Sequence, residues 1–259
     1  MYNFTVQAYS TYKGLFGWLS WPSYISNVFL RPILLVLMYS ILGRFALDPA
    51  RAQMFAIGIT GYAMAFILMG GITQSYAGER EGRTLAFIYV SQVNRHVNFL
   101  SRAILHYPNA LLSFIATVIT AWLVVGLDFS AVNWAGFVSA VLITAASITA
   151  FAQFSGIFSI VFREWFNTNA LANGVLFALS GVIIPISIFP TFVQEIARSI
   201  PMTNGLSVIR ATFIGAPFSE VSGSILREAL TGIGYYTIAS FGFVLFERVV
   251  KQKGTLDLE

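Results

Sequence analysis

Apolar residues run for long distances along this chain without a charge between them: Ala52 to Gly78, Ala103 to Leu127, Phe129 to Phe162, Trp165 to Gln194 and Ala229 to Phe246. A further apolar segment, NVFLRPILLVLMYSILG (27–43), is interrupted near its start by Arg31-Pro32. A helix needs about 20 residues to cross the roughly 30 Å hydrocarbon core of a bilayer, and a charge at its centre is costly. The pattern therefore predicts six membrane-spanning helices, at 26–45, 53–74, 104–126, 135–161, 169–188 and 226–246. Arg31 is expected to snorkel to the interface. Pro32 is expected in the first turn of its helix, where no backbone donor is needed.

Three intervals depart from this pattern. Residues 1–22 carry Trp18, Trp21 and Pro22 among several Tyr and Phe, which suits a helix lying in the headgroup zone. The run GVIIPISIFPTFVQEIARSIPMTNGLSVIRATFIGAP (181–217) is broken by Pro185, Pro190 and Pro201, and Asn204-Gly205 reads as a turn. Between the prolines, Phe192, Val193, Ile196 and Ile200 share one helical face. Two short amphipathic helices that dip into the outer side and return fit this run, with a surface-lying external loop as the alternative. The third interval is YAGEREGRTLAF (76–87), where Glu79, Arg80, Glu81 and Arg83 crowd together between apolar runs. It continues from the second span without a proline and is followed by Leu85, Phe87, Ile88 and Val90. That order suggests a short amphipathic helix along the membrane whose polar face meets a soluble partner. A solvated loop of locally paired charges is the plainer alternative.

Composition narrows the class. The 259 residues are 57% hydrophobic and only 10% charged, with a mean hydropathy of +0.75. An ordinary soluble domain carries about a quarter charged residues, so the chain reads as an all-α integral membrane protein in one unit. That unit comprises a six-span region over 26–246 and a tail over 247–259. The net charge of +4 comes without any adjacent Lys/Arg pair, which gives no reason to expect a nucleic-acid partner. With the N-terminus inside, ten of the fifteen basic residues fall on the cytoplasmic side. Both termini are therefore expected in the cytoplasm of a multi-pass protein of the cell membrane. The N-terminus shows neither a basic region nor a small-residue cleavage site, so no cleaved signal peptide is expected.

Several chemistries lack their residues. Zero cysteines exclude disulfides, thiolate metal sites and cysteine nucleophiles. The two histidines, His96 and His106, have no accompanying metal or nucleophile motif, and no metal or catalytic residue is assigned. The eleven acids fall outside the predicted span cores or at their margins. There is no G-x-x-x-x-G-K-[ST] phosphate loop, so uphill transport would draw its energy from another polypeptide. Small residues in the fourth span (Gly136, Ala140, Ala145, Ala146, Ala150) suit close helix packing.

The order of parts resembles an ABC-2-type transporter permease, the membrane subunit of an ATP-driven exporter. Two stretches carry the resemblance: YAGEREGRTLAFIYVSQVNR (76–95) and IPISIFPTFVQEIARSIPMTNGLSVIR (184–210), the latter ending on Arg210. The resemblance implies an ATPase-coupling helix at Glu79, Arg80, Glu81, Gly82, Arg83, Thr84 and Leu85. Here the family's Gly before Thr is replaced by Arg83, and its following Glu by Ala86. It further implies a separate ATP-binding-cassette ATPase carrying ATP and Mg, a second permease, identical or homologous, and no cofactor in this chain. Tyr62, Phe66, Phe177 and Phe189 lie on or just beyond the second and fifth spans, and are candidates to line a path for a hydrophobic or amphipathic drug, lipid or peptide. A polysaccharide or teichoic-acid-type exporter is the alternative cargo reading. A non-transporting immunity or assembly factor is the alternative of another class.

Overall fold

A computed structural model describes residues 20–81, 95–161 and 165–253. Eight helices account for most of these residues. They are α1 (Trp21–Ala46), α2 (Pro49–Glu81), α3 (Arg95–Val125), α4 (Trp134–Val161), α5 (Trp165–Leu179), α6 (Thr191–Arg198), α7 (Thr203–Phe213) and α8 (Phe218–Lys253). Most of the expected interfacial helix at 1–22 and the stretch 82–90 lie outside the described residues.

Among the described residues, four helices are long and apolar enough to cross a membrane: α1, α2 over Pro49–Gly78, α3 over Ala103–Val125 and α4 over Trp134–Ser159. The expected fifth span is cut short. Helix α5 stops at Leu179, because Gly181 turns the chain through the left-handed region (φ +75°) and Pro185 follows in extended backbone. The expected sixth span falls inside α8, a 36-residue helix that carries Glu220, Arg227 and Glu228 in its first half.

Helices α2 and α4 form the centre, with about two-thirds of their apolar windows buried, whereas α1 and α3 bury about a quarter. The stripe Leu30, Leu34, Met38, Ile41 and Phe45 on α1 therefore faces outward at helical spacing. On α8 the corresponding stripe is Leu226, Leu230, Ile233, Phe241 and Leu245. Lipid tails are as apolar as these side chains, so association rests on close packing rather than on the hydrophobic effect. Of the small residues foreseen on α4, Ala140, Ala145 and Ala150 are buried, while Ala146 faces outward.

Pro32 lies in the first turn of the α-helical segment Arg31–Ala46, which continues a helix already begun at Trp21. A π-helical turn over Ser26–Leu30 precedes it, and the Arg31 amide reaches back five residues to the Ser26 carbonyl. The widened turn accepts the proline ring without ending α1.

Hydrogen bonds among helix ends and the loops beside them identify one end of the bundle. Arg44 donates to the Val124 carbonyl at 3.1 Å, Gln53 to the Gly126 carbonyl at 3.3 Å, and the Asn133 amide to the Thr212 carbonyl at 2.9 Å. The α1–α2 and α3–α4 connections and the 180–217 segment thus share that end. The opposite end receives the last turn of α2, which includes Glu79, Arg80 and Glu81.

Candidate functional site

Three of the four expected path aromatics come together. On α2, Phe55, Tyr62 and Phe66 follow at intervals of seven and four, which places them on one face. On α1, Arg31 and Tyr39 are eight apart, again on one face. Phe177 of α5 closes the group. From one end, the Arg31 guanidinium carbon stands 4.7 Å from the Phe66 ring centroid. Phe66 to Tyr62 is 6.4 Å, Tyr62 to Phe177 is 4.7 Å, Phe177 to Tyr39 is 5.9 Å, and Tyr39 to Phe55 is 6.3 Å. These are ordinary spacings for interacting rings. The result is a ladder of five rings along the spans with a cation at one end. Tyr62 is buried (8% exposed), the other four rings are half-buried and Arg31 is exposed. Phe189 lies apart from it, at the end of the short turn Ile186–Ile188, where its carbonyl accepts a 2.8 Å bond from the Gln194 side chain.

The segment 180–217 holds two short helices, as expected, but their turn is elsewhere. Asn204-Gly205 lies inside the first turn of α7, and the reversal falls at Ser199–Met202. Met202 takes the left-handed conformation (φ +80°), the single non-glycine residue to do so among the described residues. Its amide donates to Glu228 Oε1 at 2.6 Å, and the Gly205 amide donates to Oε2 at 3.0 Å. The Asn204 amide also faces the carboxylate. The Ser147 hydroxyl of α4 lies beside it without completing a hydrogen bond. A helix starts with unpaired amides and a partial positive charge, and Glu228 supplies the acceptors from a different helix. Sequence reasoning set Glu228 at the margin of a span. In the structure it is 0% exposed, because the start of α7 is folded against it.

Arg210 secures the other end of α7. Its Nε donates to the Met54 carbonyl at 3.0 Å, and its terminal nitrogens donate to the carbonyls of Gly181 at 2.6 Å and Val182 at 2.8 Å. Those two carbonyls follow the end of α5, where the helix no longer supplies donors. Gly58 makes room for this clamp. A Cβ there would come within 2.5 Å of the Val182 carbonyl oxygen and would strike the guanidinium.

Of the three prolines, Pro185 and Pro190 precede the Ile186–Ile188 turn and α6, and Pro201 is buried between α6 and α7. Around the α6 wheel, Phe192 is 69% exposed and Ile196 is also exposed, while Ile200 beyond the helix is buried. The expected shared face is therefore split between surface and core. In the charged knot, Glu79, Arg80 and Glu81 continue α2 as its last turn; Gly82, Arg83, Thr84 and Leu85 lie outside the described residues. His106 is buried and paired with the Ser75 hydroxyl at 2.9 Å, as fits a satisfied polar residue.

A family model for the ABC-2 type transporter matches residues 13–214, which takes in α1 through α7 and the charged knot. The chain belongs to the ABC-2 type transporter family. It is therefore a membrane subunit of an ABC transporter, a multi-pass permease that pairs with an ATP-binding-cassette ATPase and has no ATP site of its own. A comparison with curated proteins finds no match. Sequence reasoning about this permease missed Tyr39, Phe55 and the ladder contact of Arg31. The seven-and-four spacing on α2 and the eight-residue interval on α1 were the available signals. No local signal marks Glu228, whose partners are backbone amides 23 and 26 residues upstream.

Proposed function

We propose that the chain is the transmembrane half of an exporter that moves a hydrophobic or amphipathic cargo out of the cytoplasm or inner leaflet. The observation that carries this reading is the ring ladder of Phe55, Tyr39, Phe177, Tyr62 and Phe66, shared among α1, α2 and α5. Half-buried rings offer large apolar contact area with little conformational entropy to lose, which suits a greasy or partly polar cargo. Two such permeases pair around the path, identical or homologous, and each docks on an ATPase that carries ATP and Mg.

The docking element in this reading is Glu79–Leu85. Glu79-Arg80-Glu81 form the end of the 33-residue helix α2, so a push there acts on a stiff element. In this reading α5 with the chain that follows it to 188, and α8, supply the fifth and sixth crossings. The segment 180–217 is re-entrant on the outer side, and both termini are cytoplasmic. Buried irregular backbone at membrane depth needs internal partners, and the Arg210 clamp on the Gly181 and Val182 carbonyls supplies such partners.

The test is co-purification with an ATP-binding-cassette ATPase, reconstitution, and a screen of cargos for stimulation of ATP hydrolysis. Stimulation by apolar amphiphiles that falls in Phe177→Ala supports the reading. Stimulation by polysaccharide alone moves the protein to the sugar-polymer class. Failure to bind any ATPase returns it to a non-transporting role.

A further inference from the structure

The ring ladder is not symmetrical along its length. It ends in a guanidinium at Arg31, and among the described residues no carboxylate pairs with that charge. The acids whose side chains are described are Asp48, Glu195 and Asp128 in the loops and hairpin, Glu220 in the first turn of α8, and Glu228 against α7. Ladder residues Tyr39, Phe55, Tyr62, Phe66 and Phe177 bring no anion either. An exposed cation bound to a ring face keeps most of its hydrogen-bonding capacity, because the ring takes none of its N–H groups. A guanidinium is moreover suited to planar or tetrahedral oxyanions, which it meets with two parallel donors. The charge therefore sits at one end of an apolar strip about 12 Å long on α1, from Arg31 to Tyr39 at 1.5 Å per residue.

We infer that the strip takes an anionic amphiphile, with its charged head at Arg31 and its apolar body along Phe66, Tyr62, Phe177 and Tyr39. This rests on reading the ladder as a cargo surface and adds to it the sign of the cargo's charge and the direction in which it lies. Arg31 thereby becomes a specificity-determining residue. It selects by charge, while the rings accept any body of suitable width. A neutral molecule of the same shape gains the ring contacts and loses the head contact.

The test is equilibrium binding to the purified permease in nanodiscs of phosphatidylcholine, with dodecyl phosphate and dodecanol as a pair differing only in the anion. Wild type should bind the phosphate about tenfold more tightly, the weight of one charge-assisted hydrogen bond. In Arg31→Gln that preference should fall to about twofold or less, and Arg31→Lys should keep most of it. Equal binding of the two probes by wild type overturns the inference, as does a preference that survives in Arg31→Gln. Inorganic phosphate that competes as well as dodecyl phosphate also overturns it, because the rings would then contribute nothing. Competition by phosphatidylglycerol supports the anionic-amphiphile site and assigns its occupant to bilayer lipid. An Arg31-dependent preference without stimulation of ATP hydrolysis leaves the site standing and removes the exporter reading.

Discussion

Glu228→Ala deletes the carboxylate that caps α7 from the side of α8. Two amides lose their acceptors, Met202 at 2.6 Å and Gly205 at 3.0 Å, in a place with no access to water. Each orphaned buried donor costs about 1–3 kcal/mol, and removal of the costly buried charge offsets part of the sum. A net loss of about 2–4 kcal/mol is expected. Glu228→Gln should recover less than half, because its amide nitrogen turns a donor toward one of the same N–H groups. The assay is reversible unfolding in mixed micelles with increasing dodecyl sulfate, together with amide exchange. Exchange should accelerate at Met202 and Gly205 well beyond any change within α2. The left-handed backbone at Met202 (φ +80°) is held in place by the same contact, so this segment should loosen first. An unfolding free energy within about 0.5 kcal/mol of wild type would refute the capping argument, as would unchanged exchange at those two amides.

Gly58→Ala should displace the Arg210 guanidinium and destabilise the permease by about 1–3 kcal/mol, the usual range for forced overpacking. Arg210→Lys should cost a similar amount, since one ammonium cannot reach three carbonyls at the fork's spacing; thermal unfolding of both variants checks this. Glu79→Arg and Glu81→Arg should insert normally and abolish cargo-stimulated ATP hydrolysis of the complex, and unchanged stimulation in both would sink the docking role of that helix end. Phe177→Ala removes the ring that joins Tyr62 to Tyr39, and should raise the cargo concentration for half-maximal stimulation about tenfold, with basal ATP hydrolysis as the control.

How much was legible in the sequence follows from the range of the interactions involved. Helix α2 could be read from a charge-free run, because exclusion of charge from the bilayer acts on each residue separately. So could the two short helices at 180–217, since prolines act locally. The early end of α5 could not. Its cause is a left-handed Gly181 whose carbonyl is taken up by Arg210, 29 residues onward. Asn204-Gly205 misled for the related reason that Glu228 and the Arg198 carbonyl, which accepts the Asn204 side chain at 2.8 Å, draw it into a helix. In the ladder Tyr62, Phe66 and Phe177 were candidates from the sequence, whereas Phe55 and Tyr39 join them only through the tertiary packing of α1, α2 and α5.

The unbroken course of α2 has a mechanical consequence. From Met54, whose carbonyl Arg210 holds, to Glu81 is about 40 Å of helix at 1.5 Å per residue. When the helix tilts by about 5° about its charged end, Met54 at the other end of that length moves by about 3.5 Å. A hydrogen bond of 3.0 Å tolerates only a fraction of that displacement. Helix α2 therefore cannot tilt so far about its charged end unless α7 travels with it or lets go. The guanidinium works as a latch whose release threshold is measured in degrees of tilt.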